Sequence, residues 1–494
     1  MNHLQSMITQ KLLSLKNNKI LLILILSTTY SLIYYSWGIW DWKFSFVGDE
    51  WPFYFFALQI IDEKFFMNPL SIKGVYAQHY ILSSMYQALF LLVNPSQIFW
   101  KLSNIFLIIP ITYFIFKSTK ILFGNHVALL STLLLQSSFF ISNYFKIGYI
   151  NPQAFALYMA LWYYSLLFYK FQRARDGVVA GVLFALSFYT YIGPIFPLFF
   201  FPYFLIPFFS SERKLIVIKK LALTGAVYLF LLIPGLTEMS LWGGASTKTV
   251  FFREYEGNMQ IFINVIQSFG LFYKNHDYYF NHFISGPYLD ICTRLFAAGG
   301  TIMVLFLVDK KNYLLFFSTY ILTVLGISIT SPYSYTATTR GIFYIPFGAI
   351  LAAIFLSQIT LPLGKFRGVV TIFIISSIFL INLLMSQYFT FNASGFSTTS
   401  LLLKDLMENT KSPALVLSTA GIYNSNNLTM LQKIYPVKSY MNIFYLDTLQ
   451  CQDLYKIDQI YFLAHDSNIK NGLKKKCVNI NTKSFKIIDS PIQL

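Results

Sequence analysis

The sequence predicts an all-α polytopic membrane protein that carries a small α/β domain after its last span. Three observations lead there. Of the 494 residues, 56% are hydrophobic and only 12% charged, with 52 Phe and 35 Tyr among them. A soluble chain with so few charges could not cover its surface, whereas lipid-facing helices need none. Basic residues recur in every second short loop, the pattern of cytoplasmic loops. Past residue 388 hydrophobicity falls, charge rises, and short β-type runs alternate with helical ones.

The basic groups are Lys11, Lys16 and Lys19; Lys117 and Lys120; Lys170, Arg173 and Arg175; Arg213, Lys214, Lys219 and Lys220; Lys310 and Lys311; Lys365 and Arg367. Placing them inside gives about eleven spans, near 20–40, 98–116, 125–143, 152–170, 177–193, 194–209, 217–234, 288–308, 312–330, 341–358 and 368–388. Gly193-Pro194 divides the two shortest runs. The N-terminus is then cytoplasmic and the C-terminal segment extracytoplasmic. The first apolar run lacks a small-residue cleavage site and reads as a retained anchor. The net charge of +17 thus reports topology and points away from a nucleic-acid partner.

Residues 1–388 form the transmembrane domain on this reading, with three stretches on the outer side. In the first outer loop, 41–97, Trp51–Phe66 and Gln78–Val93 are amphipathic and are expected as interfacial helices. The second loop, 235–287, holds Gly243-Gly244, Arg253, Glu254, Glu256, His276, Asp277 and His282. The tail, 389–494, alternates β-type runs (Ala414–Ser418, Gln459–Ala464, Ser484–Ile488) with helical ones (Ser400–Asn409, Asn426–Ile434), which predicts the small α/β domain. A disulfide between Cys451 and Cys477 in this tail would contribute roughly 3 kcal/mol; nothing in the sequence fixes that pairing. Two glycosylation triplets, Asn392-Ala393-Ser394 and Asn427-Leu428-Thr429, also fall outside and are compatible with the topology without testing it.

The chemistry-bearing residues gather at the outer face. Asp49 and Glu50 follow the first span in Phe46-Val47-Gly48-Asp49-Glu50-Trp51, and acids this close to a bilayer are costly to desolvate. Lys146 follows the third span and Arg340 precedes the tenth, both on the side where topology disfavours cations. Either cation alone would read as an interface anchor. Together they supply what sugar transfer from a lipid phosphate needs. A carboxylate takes the proton of an acceptor hydroxyl, and cations hold the phosphate on which charge develops. Arg340 suits that task because its planar fork grips two oxygens and stays charged.

With those residues in place, the chain resembles the C-type (GT-C) membrane glycosyltransferases, especially the branch of protein O-mannosyltransferases and lipid A aminoarabinose transferases. The resemblance lies in Gly48-Asp49-Glu50 after the first span, the interfacial segments, Arg340-Gly341-Ile342-Phe343-Tyr344-Ile345-Pro346 opening a late span, and the terminal outer domain. It implies a GT-C-like fold. It also implies that Asp49, with Glu50 beside it, acts at the catalytic centre, and that Arg340 contacts the lipid phosphate. Lys146 is a looser match for the same phosphate. The His-Pro-Pro-Leu string of many relatives is reduced here to Gln78-His79-Tyr80-Ile81-Leu82, so the acceptor side is left undefined, with His79, His276 and Asp277 as candidate contacts.

The expected activity is transfer of a hexosyl or pentosyl unit from a polyprenyl-phosphate donor to a protein, lipid or glycan hydroxyl, with inversion if displacement is direct. The sequence points to no definite cofactor. A divalent metal held by His276, Asp277 or His282 with Glu254 or Glu256 stays open, although no regular ligand spacing supports it. The alternative is a transporter or flippase of polyprenyl-linked glycans, or an O-antigen polymerase-like ligase. Transporters normally show intramembrane charges or two related halves with broken helices. Here the charges read as clustered in loops and no halves match. The outer tail weighs against a polymerase.

Overall fold

The computed structural model describes residues 2–40, 50–72, 80–191, 193–210, 214–241, 258–270, 275–276, 286–306, 311–330 and 338–392, together with four strands between 414 and 488. Helix α1, Asn2–Ser36, enters the bundle first; Leu21, Leu22, Ile25 and Leu26 are exposed on it, as lipid-facing residues should be. Two short helices follow, α2 (Glu50–Asp62) and α3 (Ile81–Leu91), packed on one another. At 1.5 Å per residue they are roughly 20 and 17 Å long, too short for a hydrocarbon core of about 30 Å.

The chain continues through α4 (Gln97–Phe106), α5 (Ile108–Ser137), α6 (Phe139–Phe145), α7 (Asn151–Phe171), α8 (Ala174–Phe188), α9 (Phe196–Ser210) and α10 (Lys214–Leu241). The run of α5 is broken at Gly124, whose φ of 86° is cheap only for glycine. This break falls beside the basic pair Lys117 and Lys120, where the second and third spans were expected to separate. Further helices are α11 (Asn258–Gly270), α12 (Ile291–Phe306), α13 (Lys311–Thr330), α14 (Thr338–Gly341), α15 (Ile345–Ile359) and α16 (Arg367–Asn392). A helix covers most of each range read as a span. Six runs among the described residues are long and apolar enough to cross a membrane by length and composition: Asn18–Ser36, Gln97–Ser137, Gly193–Ser210, Lys214–Glu238, Lys311–Ile329 and Leu361–Gln387.

Small residues let the helices close on each other, since lipid gives no hydrophobic drive for helix association. A Cβ on Gly181 of α8 would come within 2.6 Å of the Thr224 carbonyl on α10. Glycines 299 and 300 of α12 abut Phe355 and the Leu351 backbone of α15 in the same way. Buried hydroxyls and indoles pair inside the bundle: Trp162 Nε1 donates to Tyr203 Oη at 2.8 Å, Tyr203 Oη bonds Thr319 at 2.6 Å, and Tyr158 Oη bonds Thr323 at 2.8 Å.

The 235–287 stretch contains more structure than a loop. Helix α10 runs to Leu241, α11 packs against α13 through Ser268 and Ser328 at 2.8 Å, and β1 (Asn275–His276) pairs with β2 (Gly286–Pro287). In the tail, β3 (Ala414–Ser418), β4 (Met441–Tyr445), β5 (Gln459–Leu463) and β6 (Ser484–Ile488) form a parallel sheet in the order β4-β3-β5-β6. Three of these strands match the β-type runs of the sequence, while β4 was not anticipated. The helical runs expected around Ser400–Asn409 and Asn426–Ile434, and both Cys451 and Cys477, lie outside the described residues.

Candidate active site

Glu50 opens α2, where a negative charge is favoured by the helix dipole. Its side chain is fully enclosed. One oxygen, Oε1, accepts from the Trp100 indole at 2.8 Å, from the Gly148 backbone N–H at 2.7 Å and from the Lys101 ammonium. Lys101 is itself completely buried and forms an ion pair with Glu50. Gly148 is required by close approach, because a Cβ there would overlap both the Trp100 indole and the Glu50 carboxylate.

The segment around Gly148 is held from several sides. Gln87 of α3 donates to the Gly148 carbonyl at 2.9 Å; Asn104 of α4 donates to the carbonyls of Ile147 (2.8 Å) and Tyr149 (2.7 Å). Gln153 of α7 donates to Asn104 Oδ1 at 2.8 Å. Helices α2, α3, α4 and α7 thus converge on the irregular backbone of 146–150. Their buried amides satisfy peptide groups that would otherwise be costly to enclose.

Lys146 lies two residues before Gly148, at the C-terminus of α6, where a cation complements the helix dipole. It is only 4% exposed and its Nζ stands 5.9 Å from the centre of the Tyr34 ring. Arg340, on the short helix α14, is 8% exposed and donates through Nε to Tyr191 Oη at 3.3 Å. Aromatic contacts link α6, which ends beside Lys146, to Gly341, which follows Arg340. Tyr144 stacks on Phe140; Phe140 packs on Tyr288 at 4.6 Å between ring centres; and Tyr288 lies against Gly341, leaving no room for a side chain there. Two enclosed cations at one end of the bundle are an arrangement suited to a phosphate, since charge-assisted bonds gain strength away from water.

The structure therefore brings Glu50, Lys146 and Arg340 to the same end of the bundle. Asp49 lies outside the described residues, directly before Glu50. His79 and Asp277 are also outside, and of His276 only the backbone in β1 is described. Among the described residues no group of three or more His, Cys, Asp or Glu could hold a metal ion. The proposed metal set is largely outside those residues.

One reading needs correction: charge is not confined to loops. Lys101 sits within α4, in the range expected as the second span, and it is a buried partner of Glu50. An ionisable residue inside an apolar run is itself a pointer to function, and that signal was present in the sequence. Asp290 is a second enclosed group the sequence analysis did not single out. Its Oδ1 accepts from Thr293 N at 2.9 Å, and its Oδ2 from Asn382 Nδ2 at 2.9 Å. Asn382 in turn accepts from Phe139 N at 3.0 Å, which ties the start of α6 to α12 and α16. Here the pattern Asp290-Ile291-Cys292-Thr293 at a helix start was the available signal.

Residues 81–237 match the protein-family model described as dolichyl-phosphate-mannose-protein mannosyltransferase. Among solved structures, the chain is similar to ArnT from Cupriavidus metallidurans bound to undecaprenyl phosphate, with 10% identity, 94% of this chain and 89% of that one covered, and a TM-score of 0.54. The apo state of the same ArnT gives 12% identity, 92% and 88% coverage, and a TM-score of 0.54. The Archaeoglobus fulgidus oligosaccharyltransferase AglB, in complex with an inhibitory peptide and a dolichol-phosphate, gives 13% identity, 85% and 64% coverage, and a TM-score of 0.46. No curated protein matches the chain. The chain is thus similar to the mannosyltransferase family in sequence over residues 81–237, and to ArnT in fold over nearly its whole length.

Proposed function

We propose that this GT-C-like membrane protein transfers a glycosyl unit from a polyprenyl-phosphate donor to an acceptor hydroxyl at the outer face of the membrane. The observation that carries this reading is the pair of enclosed cations, Lys146 and Arg340, whose segments are linked by the Phe140–Tyr288 contact at the end of the bundle that also bears Glu50. The ArnT structure of similar fold binds undecaprenyl phosphate, which supports a polyprenyl-phosphate donor here.

Arg340 and Lys146 hold the donor phosphate, and both gain as the anomeric C–O bond breaks and negative charge collects on the phosphate oxygens. Asp49 accepts the proton from the acceptor hydroxyl as its oxygen attacks the anomeric carbon. The polyprenyl phosphate leaves from the opposite side, so the centre inverts. Glu50 is the weaker candidate for that base. Its Oε1 is already engaged by an ammonium and two N–H groups inside the bundle.

In the same reading the basic loops face the cytoplasm, about eleven helices span the membrane, and residues 389–494 form an extracytoplasmic α/β domain that meets the acceptor. Binding of sugar-free undecaprenyl phosphate to the purified protein tests the phosphate assignment. Arg340→Ala should weaken it by about tenfold or more, as loss of a charge-assisted contact requires. Unchanged affinity in both Arg340→Ala and Lys146→Ala would place the phosphate elsewhere.

A further inference from the structure

We infer that Lys101 is a positioning residue: with Glu50 it forms a buried, charge-compensated clamp that fixes the start of α2, which Asp49 precedes in the sequence, against the backbone that carries Lys146. The inference rests on the function proposed above, but the clamp itself stands on geometry. Lys101 has no exposed surface and neither does Glu50, and each compensates the other's charge. Glu50 Oε1 gathers three donors from two different parts of the chain: Trp100 and Lys101 on α4, and the Gly148 amide two residues past Lys146. One carboxylate thus holds the first residue of α2 to the segment that follows the proposed phosphate-binding lysine, and close placement of reacting groups governs turnover.

The clamp also separates charge from hydrogen bonding. In Glu50→Gln the amide oxygen still accepts from Trp100 and Gly148, but the Lys101 ammonium loses this counter-charge. In Lys101→Met the carboxylate loses the ammonium instead. Removing both charges leaves a neutral enclosure of similar volume, the exchange that buried ion pairs tolerate best. The single variants should therefore be worse than the double variant, which no additive account of two separate residues gives.

The test uses the full chain purified in detergent, as wild type, Glu50→Gln, Lys101→Met and the double variant. Three readouts are taken: turnover of a polyprenyl-phosphate sugar, the KM for that donor, and amide exchange of the peptide containing residues 146–150. Each single variant should lower kcat by about 100-fold or more with donor KM within about threefold, and should speed exchange across 146–150; the double variant should recover at least about tenfold in kcat and restore slow exchange. Equal falls in kcat and in the folded fraction, with no recovery in the double variant, would make the pair merely structural. Unchanged exchange in Lys101→Met would overturn the clamp. If the wild type turns over no such donor, the proposed activity fails, and the exchange pattern of the four proteins still decides the clamp.

Discussion

Replacing Gly148 by alanine probes the enclosure around Glu50 with a single methyl group. The new Cβ would overlap the Trp100 indole and the Glu50 carboxylate. Neither neighbour can retreat. Trp100 is wholly buried and stands edge-on to Tyr54, with ring centres 5.3 Å apart and planes at 88°; Glu50 is held by Lys101. Overpacking of a filled interior costs about 1–3 kcal/mol. If the backbone moves away to relieve it, the Gly148 N–H leaves the carboxylate, and a hydrogen bond to a charged group contributes about 1.5–3 kcal/mol. By either route the expected loss is about 1–3 kcal/mol. Gly225→Ala, at a helical position with nothing within 4 Å of the added methyl, is the control and should be neutral or stabilising. Denaturant unfolding of the two variants in the same detergent gives the comparison. Equal stability of Gly148→Ala and Gly225→Ala would refute the close packing of Trp100, Glu50 and the 146–150 segment.

The remaining predictions concern the proposed chemistry and the topology. Asp49→Asn keeps shape but cannot take a proton at neutral pH, so turnover should fall by about 100-fold or more with donor binding nearly unchanged; steady-state kinetics with separate binding measurements reads both. Arg340→Ala should weaken donor binding and turnover together, and Arg340→Lys should restore only part, because a point charge replaces a bidentate fork; full rescue by lysine would remove the bidentate assignment. Single cysteines at positions 117, 173, 214, 310 and 367 should resist a membrane-impermeant reagent in intact cells, whereas one at 392 should react. Labelling at 173 would invert the topology and move Asp49 to the wrong side.

The helices were legible because each span depends on a local property, a long apolar run, and lipid removes the need for polar outer faces. The break inside α5 was legible from the basic pair Lys117 and Lys120 beside it. So were the helices α2 and α3, from their aromatic-rich, interrupted sequences. Helix α11 was harder, because Asn258, Gln260, Asn264 and Gln267 break its apolar run, and its packing on α13 joins residues as distant as Ser268 and Ser328. Strand β4 was missed because Met441-Asn442-Ile443-Phe444-Tyr445 is a short run of ordinary composition that gains meaning only from pairing with β3.

The site divides along the same line. Lys146 and Arg340 could be singled out from their position relative to the spans. Lys101 could be seen as a charge in an apolar run, but its partner lies 51 positions earlier, and no local pattern encodes that pairing. Gln87, Asn104 and Gln153 look like ordinary polar interruptions of apolar helices until the 146–150 backbone they satisfy is in place. The acid pair shows how sequence neighbours separate in role: Glu50 is committed to an internal clamp, whereas Asp49 carries the proposed catalysis.

The most direct test of the account is release of polyprenyl phosphate. Purified protein is incubated with a panel of polyprenyl-phosphate sugars and an acceptor extract, and the lipid products are followed by mass spectrometry. The account predicts that at least one donor yields free polyprenyl phosphate together with a glycosylated acceptor, and that Asp49→Asn abolishes both. Persistent release in Asp49→Asn, or movement of an intact lipid-linked sugar across a membrane without cleavage, would contradict it.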